Sequence, residues 1–506
     1  MNALLSVSDK EGVVELARKL VGMGVTLYAS GGTERVLHEA TVPVHSVEEL
    51  TGFPELLGGR VKTLHPNVHA GILALRDDPR HMQELAEHGL PLIDVVVVNL
   101  YPFQETVAGG EPPARVLEAI DIGGVALLRA AAKNYDHVLV VVRPKDYPAV
   151  LEEMQRPGGP RPEFRRHLAA VAFAHTAAYD AAIGQHLRNG GPGVPLPADF
   201  TLGGHKVRDL RYGENPHQSA ALYHTLEGGG IAGARQWQGL ELSYNNLVDA
   251  QAALALVSDF TGTAAAIIKH GNPCGVAVAD GLDRAYRQAL AGDPRSAFGG
   301  VVALNRPLDA TTAAVVTQTF FEVLVAPGFD PGVLEALSKR PKLRVLQPGP
   351  GPAIPALEAR PLSGGFLVQT ADQAGRTLGE AKVVTQREPS QAEWQDLQFA
   401  WTVVKHVRSN AIVLAHRGAA VGVGAGQMSR VEAVELAVKR AGSDASGTAL
   451  ASDGFFPYPD GVATAAAAGV RAIVQPGGSL KDTEAIAAAD AAGMAMVFTG
   501  ERHFKH

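Results

Sequence analysis

Residues 265–278 read AAIIKHGNPCGVAV, and residues 410–424 read NAIVLAHRGAAVGVG. Each stretch is an apolar run, a polar turn with glycine, and a second apolar run. Each is followed by a helical pattern, at Leu282 to Leu290 and at Val431 to Val438, and then by a turn rich in glycine and phenylalanine. A duplicated strand–turn–strand–helix half-domain is the simplest explanation. The alternative is that two unrelated α/β segments share a common rhythm.

The first part of the chain alternates short apolar runs with helical patterns. These runs are Ala3 to Val7, Thr26 to Ala29, Val95 to Val98 and Val138 to Val142. Because the run of four valines is apolar on both faces, it is typical of a parallel strand covered by helices on both sides. The sequence therefore predicts an α/β fold for this part of the chain.

The length of the chain predicts more than one domain. At 506 residues it exceeds what one hydrophobic core usually supports. The segment Asn189 to Pro197 is rich in glycine and proline, which indicates a linker. We therefore predict a first domain at 1–193 and a second at 194–506, with halves of about 194–360 and 361–506.

The composition excludes several classes of protein. With 46% apolar and 19% charged residues and a net charge of -7, the chain lacks the basic field that holds nucleic acid. The single cysteine, Cys274, excludes an internal disulfide framework and fits a reducing compartment. No segment approaches the ~20 apolar residues that span a bilayer, and the first residues do not read as a signal peptide. We expect a cytoplasmic protein that binds small molecules.

A glycine loop in the first domain predicts an anion site. Ser30-Gly31-Gly32-Thr33 follows the run Thr26 to Ala29 and precedes a helical pattern that starts at Glu34. Glycines let backbone N–H groups approach a phosphate, and a helix N-terminus adds a favourable dipole. The alternative, equally open for the motif by itself, is a tight turn that only requires glycine.

Further polar segments follow the other apolar runs of this domain. Ser8-Asp9-Lys10, Arg60 to Thr63 and Asn99 to Pro102 can converge where parallel strands end. Asp121 to Gly124 and Arg129 to Asn134 add a carboxylate and an ammonium group that could polarise a substrate and carry protons. Taken one at a time, each of these charges is more typical of a surface or a salt bridge.

In the second domain, Lys269 and His270 are the most informative pair. They end an apolar run and precede Gly271-Asn272-Pro273, where a cation can stabilise negative charge and an imidazole can move a proton. The alternative is an ordinary polar strand end. The loop Arg211 to Gln218 and the glycine series Gly422 to Arg430 are candidate binding segments, although solvated turns share the composition of the first.

A zinc site is not expected. Asn272-Pro273-Cys274-Gly275 is similar to the Pro-Cys-x-x-Cys signature of zinc deaminases, but the second ligand position is Ala277. No His-x-Glu element precedes it in this half.

Together these motifs resemble one family, the bifunctional purine-biosynthesis proteins that combine phosphoribosylaminoimidazolecarboxamide formyltransferase with inosine monophosphate (IMP) cyclohydrolase. The resemblance runs essentially from end to end. It rests on segments in matching order: Ser6 to Lys10, Ala29 to Thr33, Gly59 to Pro66, Asn99 to Phe103, Asp121 to Gly124, Arg129 to Asn134, Arg211 to Gln218, Lys269 to Gly275, Gly424 to Arg430 and Arg502.

The resemblance implies a fold and a site for the first domain. It would be a methylglyoxal-synthase-like, doubly wound cyclohydrolase domain in which Lys133 is the acid/base, Asp121 polarises the formyl group and Tyr101 orients the carboxamide. The nucleotide would contact residues drawn from the segments above: Ser8, Asp9, Lys10, Ser30, Gly31, Gly32, Thr33, Arg60, Lys62, Thr63, Asn99 and Ile122.

The resemblance implies a second domain of two cytidine-deaminase-like α/β/α halves without zinc. His270 would accept the proton in formyl transfer and Lys269 would stabilise charge. The ribonucleotide contacts would come from Arg211, Tyr212, His217, Gly299, Glu322, Asn410, Arg430, Phe456 and Arg502. The formyl donor would be 10-formyltetrahydrofolate, a homodimer is implied, and a bound potassium ion, present in some relatives, stays open.

Two other functions fit parts of the sequence. A zinc-dependent nucleobase deaminase would fit the fold of the second domain, and a non-catalytic nucleotide-binding regulatory protein would fit the phosphate pocket. Neither explains why the full set of the family's catalytic residues is present.

Overall fold

The computed structural model describes residues 1–188, 196–225, 228–373 and 378–506. The chain forms two compact units, essentially Met1–His205 and Lys206–His224 with Gly228–His506. Most of the predicted linker, and the predicted domain boundary between residues 193 and 194, lie outside the described residues.

The first unit contains one parallel five-stranded sheet in the order β3-β2-β1-β4-β5. Its strands are β1 Asn2–Val7, β2 Thr26–Ala29, β3 His45–Ser46, β4 Val95–Asn99 and β5 Leu139–Val141. Its helices are α1 Val13–Gly22, α2 Gly31–Glu39, α3 Val47–Thr51, α4 Pro66–Leu73, α5 Pro79–Glu87, α6 Phe103–Ala108, α7 Pro113–Glu118, α8 Gly123–Lys133, α9 Tyr147–Met154 and α10 Pro162–Arg188.

The valine run explains why this sheet is covered on both faces. Each side chain from Val95 to Val98 is at most 1% exposed, as a central parallel strand between helices requires. The four predicted strands are confirmed. Helix α2, however, begins at Gly31 and not at Glu34, so the two glycines form its first turn instead of a loop before it.

The second unit is dominated by a mixed sheet of twelve strands. The strands of the unit are β6 His205–Leu210, β7 Ala220–His224, β8 Gly230–Gln238, β9 Ala264–Lys269, β10 Asn272–Val278, β11 Val301–Leu304, β12 Val323–Val325, β13 Arg344–Gly349, β14 Leu357–Leu362, β15 Gly365–Thr370, β16 Lys382–Val383, β17 Ile412–His416, β18 Ala419–Gly424, β19 Ala449–Ser452, β20 Ala472–Gln475 and β21 Ala495–Phe498. Its helices are α11 Tyr244–Ser258, α12 Leu282–Gly292, α13 Pro294–Ala297, α14 Ala310–Val316, α15 Val333–Leu337, α16 Gln391–Val404, α17 Arg430–Ala441, α18 Asp460–Ala467 and α19 Asp482–Ala491.

The strand order shows the duplication directly. In the order β21-β20-β19-β17-β18-β10-β9-β11-β12-β13, each half contributes an antiparallel hairpin, a third strand antiparallel to the first, and two further parallel strands. Strands β10 and β18 pair at Ala277 and Ala419 and join the halves in one sheet. The predicted duplication and the predicted α/β fold class are confirmed.

From the first helix of each half (α11 and α16) to the helix after the hairpin (α12 and α17), equivalent residues are 147 positions apart. Ser243 and Ser390 cap helices α11 and α16, and each forms a capping box. Gly271 and Gly418 lie in the two hairpin turns with positive φ, at 73° and 72°. The predicted division between halves, at 360/361, falls inside β14, because a separate β14–β15 hairpin occupies the connection between the copies.

Candidate active sites

In the first unit, the glycine loop Ser30 to Thr33 lies against the side chain of Lys62. Ser30 precedes α2 in extended conformation, and Gly31 has a φ of +46°. A Cβ atom at Gly31 would lie 2.6 Å from Nζ of Lys62, so the glycine is needed for the ammonium group to approach the helix N-terminus. A cation beside backbone N–H groups of a helix start is an arrangement that binds phosphate.

A second lysine lies on the same loop. Nζ of Lys10 donates to Oγ1 of Thr33 at 3.2 Å and to the carbonyl of Val7. Burial, followed by the charge of Arg35, lowers the pKa of Lys10. The sequence reasoning did not select Arg35, whose only signal was its position one turn into the helix after the glycines.

Asn99 braces the neighbouring loop. Its side-chain Oδ1 accepts hydrogen bonds from the backbone N–H groups of Ser8 and Asp9, at 2.5 and 2.8 Å, and its Nδ2 donates to the carbonyl of Asp9. The amide therefore fixes the loop that carries Lys10. This contact gives Asn99 a positioning role in the loop.

Asp121 lies at the start of α8, against Thr63. Its carboxylate accepts from the N–H of Gly124 at 2.7 Å, and a Cβ at Gly123 would lie 2.7 Å from Oγ1 of Thr63. Burial raises the pKa of Asp121, and the N–H groups of Gly124 and Tyr101 oppose that shift. The ring of Tyr101 and the side chain of Ile122 are exposed beside it. The site thus contains a carboxyl group that can exchange protons closer to neutrality than usual.

Two predicted residues of this unit do not join the cluster. Lys133 is ten residues after Gly123 in the same helix, so the two Cα atoms are about 15 Å apart. Its neighbour Asn134 donates to the carbonyls of Ile72 and Ala74, at the far end of α4. Lys133 therefore lies at the opposite end of α8 from Asp121, and its acid/base role stays a prediction.

Arg60 also points elsewhere. Its guanidinium forms an exposed ion pair with Glu118, and its side chain is 63% exposed. Lys62, two residues on, is the cation that approaches the glycine loop, although it also pairs with Glu55 at 3.1 Å. The sequence alone does not show which of Arg60 and Lys62 approaches the glycine loop.

In the second unit, Lys269 ends β9 and His270 starts a two-residue hairpin turn. His270 and Gly271 have φ of 53° and 73°, and Asn272-Pro273 already belongs to β10 instead of the predicted turn. The N–H groups of both turn residues donate to the carboxylate of Asp249, at 3.1 and 2.7 Å. A non-glycine residue in this conformation is uncommon, so the turn is held by the carboxylate of α11.

The adjoining strand ends place further predicted residues beside Lys269. Its Nζ donates to the carbonyl of Phe298 at 2.7 Å, next to Gly299. The N–H of Glu322 donates to the carbonyl of Gly300, and the carboxylate of Glu322 pairs with Arg344. Gly299 and Glu322 thus lie at the same sheet edge as Lys269, with Glu322 held by an arginine that the sequence reasoning missed.

The second half contains a cavity of about 690 Å³ at the carboxyl ends of β19 and β20. Three predicted residues line it: Asn410, Arg430 and Arg502. The guanidinium of Arg430 is buried and bonds Ser452, Asp453 and Asn410. A cavity of this size with fixed cations suits a small anionic ligand.

Phe456 was predicted to contact the ligand, and this prediction is wrong for its side chain. Phe456 has no exposed surface and packs in the core under α18. Phe455, 41% exposed, lines the cavity together with Tyr458.

The cavity and the catalytic turn lie at the same edge of the sheet. Asn272 accepts a hydrogen bond from the N–H of Arg408 at 3.0 Å, and the N–H of Asn410 donates to the carbonyl of Gln427 at 3.1 Å. Arg408, which contacts the turn, is therefore two positions before Asn410, which lines the cavity.

The loop Arg211 to Gln218 is exposed near α11. Arg211 stacks over the ring of Tyr212 at 4.7 Å, and Asn245 donates to the carbonyl of Glu214. His217 is also exposed, and none of the three predicted residues of this loop lines the cavity.

The described residues contain no group of three or more histidine, cysteine or acidic side chains that could hold a metal ion. Among the helices described, none is long and apolar enough to cross a membrane.

Comparisons with known proteins match both units. Residues 12–126 match the model of the MGS-like domain, and residues 131–440 match the model described as "AICARFT/IMPCHase bienzyme". The bifunctional purine biosynthesis protein PurH of Acidithiobacillus ferrooxidans is 52% identical, and that of Halalkalibacterium halodurans is 49% identical; each alignment covers 100% of this chain and 99% of the relative. A solved structure titled "Crystal structure of ForH" is 40% identical over 37% of this chain and 96% of its own, with a TM-score of 0.34.

The fold and sites thus define an α/β enzyme with an MGS-like domain followed by a duplicated mixed-sheet domain. More narrowly, the chain belongs to the AICARFT/IMPCHase bienzyme family, the bifunctional purine biosynthesis proteins. It carries out the last two steps of purine synthesis: formylation of aminoimidazole carboxamide ribonucleotide (AICAR) and ring closure of the product to IMP.

Proposed function

We propose that the two reactions are divided between the two units, with ring closure in the first and formyl transfer in the second. The division rests on one observation: each unit has its own set of polar groups at one edge of its sheet. Lys10, Lys62 and Asp121 form one set, and Lys269 and His270 form the other. The two sets offer different chemistry.

For formyl transfer, we propose 10-formyltetrahydrofolate as the donor. The exocyclic amine of AICAR attacks the formyl carbon, and the imidazole of His270 takes the amine proton. The bond from the formyl carbon to N10 of the folate then breaks, and N10 leaves with a proton in place of the formyl group. The ammonium of Lys269 stabilises the negative charge that develops on the formyl oxygen. General-base catalysis by a positioned side chain contributes about 10²–10⁴-fold to such a step.

The cavity of the second half is the proposed ribonucleotide site. Arg430 and Arg502 supply charge for a phosphate, and Phe455 supplies a face for the imidazole ring. Glu322 and the Arg211 to Gln218 loop keep their predicted binding roles as part of this proposal.

For ring closure, the carboxamide nitrogen adds to the formyl carbon and water leaves. Lys10, Lys62 and the glycine loop would hold the phosphate, Tyr101 would orient the carboxamide, and Asp121 would carry the proton. The raised pKa of Asp121 supports this role, because burial favours the protonated carboxyl group, the form that can donate to the departing oxygen.

We also propose that the enzyme is a cytoplasmic homodimer. The β14–β15 hairpin supports the dimer, because Leu362, Phe366 and Leu367 are each more than half exposed on a hairpin that joins no larger sheet. The single cysteine fits the reducing cytoplasm.

The division is tested with two assays on wild type and Asp121→Asn. One assay supplies AICAR with 10-formyltetrahydrofolate, and the other supplies the formylated nucleotide alone. We expect the variant to form formylated AICAR at the wild-type rate and to lose at least about 10²-fold in ring closure. Loss of both reactions, or of neither, would contradict the division.

A further inference from the structure

The segment Glu501 to His506 carries two side chains of the cavity wall in the second half. Arg502 and Phe504 line the cavity, whereas His503 between them is only 1% exposed. Alternating burial of this kind is typical of an extended segment, in which successive side chains point to opposite sides. The guanidinium of Arg502 lies over the ring of Phe504, 4.7 Å from its centroid. The placement of His503 therefore decides which side chains reach the cavity.

Two backbone hydrogen bonds hold this segment in place. The N–H of His503 donates to the carbonyl of Asp453 at 2.9 Å, and the carbonyl of Lys505 accepts from the N–H of Ser409 at 2.9 Å. The segment belongs to no strand, so no ladder of hydrogen bonds specifies its register. A slip by one residue would turn His503 toward the cavity and Arg502 toward the core. A side chain has to prevent that slip.

The imidazole of His503 is fixed on two sides. Its Nδ1 donates to Oδ2 of Asp372 at 2.7 Å, and its ring centroid is 4.7 Å from that of the buried Trp401. Its Nε2 is buried and has no hydrogen-bond partner in the part of the chain that the structure describes. A leucine would fill such a site without leaving a buried nitrogen unbonded, which is unfavourable. Packing alone therefore does not explain the histidine, and the bond to Asp372 gives its ring one orientation.

We propose that His503, oriented by Asp372, is a positioning residue for the cavity of the second half. Its buried ring sets the register of the segment, so that the guanidinium of Arg502 and the ring of Phe504 face the ligand. A Cβ atom at Gly454 would lie 2.6 Å from the ring of Phe504, so this part of the wall has no room for a displaced ring. The inference rests on the proposed ribonucleotide site and adds a residue that does not touch the ligand.

The test is a double-mutant cycle on the full chain, with AICAR varied at saturating 10-formyltetrahydrofolate. Arg502→Ala should raise the KM for AICAR at least about tenfold, because it removes a charged contact to the phosphate. His503→Leu should raise this KM about fivefold and keep kcat within about twofold of wild type, because the contact is displaced and not removed. In the Arg502→Ala background the same change should add less than about twofold, whereas independent effects would multiply.

Three further variants control for damage to the fold. Asp372→Ala removes the acceptor from a partly exposed side chain and should raise the KM for AICAR about threefold. Asp372→Asn keeps an acceptor oxygen and should recover most of the wild-type value. These two variants test the same contact if His503→Leu does not fold. His406→Gln removes another buried imidazole that bonds a carboxylate in this unit, and it should leave the KM for AICAR unchanged.

Several results would overturn the inference. An unchanged KM in both His503→Leu and Asp372→Ala is one, and equal factors for His503→Leu in the wild-type and Arg502→Ala backgrounds are another. A comparable rise in His406→Gln would show a general loss of packing instead of positioning. If Arg502→Ala itself left the KM unchanged, the proposed ribonucleotide site would fail, a result distinct from the failure of His503 to position it.

Discussion

The two equivalent hairpin turns of the duplicated halves, β9–β10 and β17–β18, have the same backbone and different side chains. In the first half, His270-Gly271 is held by Asp249; in the second half, Arg417-Gly418 adopts the same positive φ values, and the N–H of Gly418 donates to Asp396 at 2.9 Å. Lys269 precedes one turn and His416 the other.

The difference between the turns shows that the two duplicated halves carry different functional groups. The first half keeps a lysine–histidine turn, whereas the second half has the large cavity with Arg430. A conserved scaffold therefore fixes where chemistry can occur, and the side chains at equivalent positions decide what occurs there.

Apart from His270 itself, the largest expected effect concerns the residues before the two turns. Lys269→Ala removes the ammonium that we place at the developing charge, so formyl transfer should fall by about 10²–10³-fold. His416→Ala, at the equivalent position, should change it by less than about twofold. Initial rates at saturating AICAR and donor measure both. Equal effects would mean that the halves share one reaction.

The next comparison concerns positions 259 and 406, where the first half has Asp259 and the second has His406. Nε2 of His406 lies 2.7 Å from Oδ2 of Asp259, and Nζ of Lys405 lies at the same distance. Burial lowers the pKa of His406 to about 4. Between about pH 6.5 and about pH 4, His406 is protonated in the unfolded chain but not in the folded chain. The free energy of unfolding therefore falls as the pH falls through this range.

We expect the second unit to lose up to about 3 kcal/mol over that pH range. All three tryptophans, Trp237, Trp394 and Trp401, lie in this unit, so the urea midpoint of their fluorescence reports on it alone. His406→Gln should flatten the pH dependence. A midpoint that does not move between pH 7 and pH 5 in wild type would contradict the assignment.

The carboxylates that brace the turns give a smaller effect. Asp249→Ala should lower kcat for formyl transfer about tenfold with little change in KM, because it releases two N–H groups and the orientation of His270. Asp249→Asn keeps one acceptor oxygen and should recover part of the rate. Asp396→Ala is the matched control, and it should leave kcat unchanged. A change in KM with an unchanged kcat in Asp249→Ala would argue against a positioning role for Asp249.

The smallest effect is expected at positions 293 and 440, which are again equivalent. Asp293 and Arg440 form a partly exposed ion pair at 3.3 Å. Arg440→Ala should lower the free energy of unfolding by no more than about 1 kcal/mol. Urea unfolding followed by tryptophan fluorescence measures this change. The neighbouring Lys439→Ala serves as control, and a loss of several kcal/mol would show that the pair holds the halves together.

Much of the fold followed from the sequence. The valine run at Val95 to Val98 and the repeated runs at 265–278 and 410–424 are short and continuously apolar, as strands covered on both faces are, and the structure has strands there. Helix starts were less predictable, because the glycines at 31 and 32 can form either a loop or a first helical turn.

The site was predictable where residues are close in sequence and poorly predictable across an element. Lys269 and His270 are adjacent in the sequence, and both lie at the end of strand β9. Asp121 and Lys133 are close in sequence, but the length of helix α8 separates them in space. Phe455 and Phe456 follow a strand end, where alternation no longer tells which ring faces the core.

The most direct test of the account compares His270→Ala with Arg417→Ala, using ring closure of the formylated nucleotide as the internal control. We predict that His270→Ala loses about 10²–10⁴-fold in formyl transfer, that Arg417→Ala stays within about twofold of wild type, and that all three proteins close the ring equally well. Similar losses in both variants, or a loss of ring closure in His270→Ala, would contradict the division of chemistry between the halves and between the units.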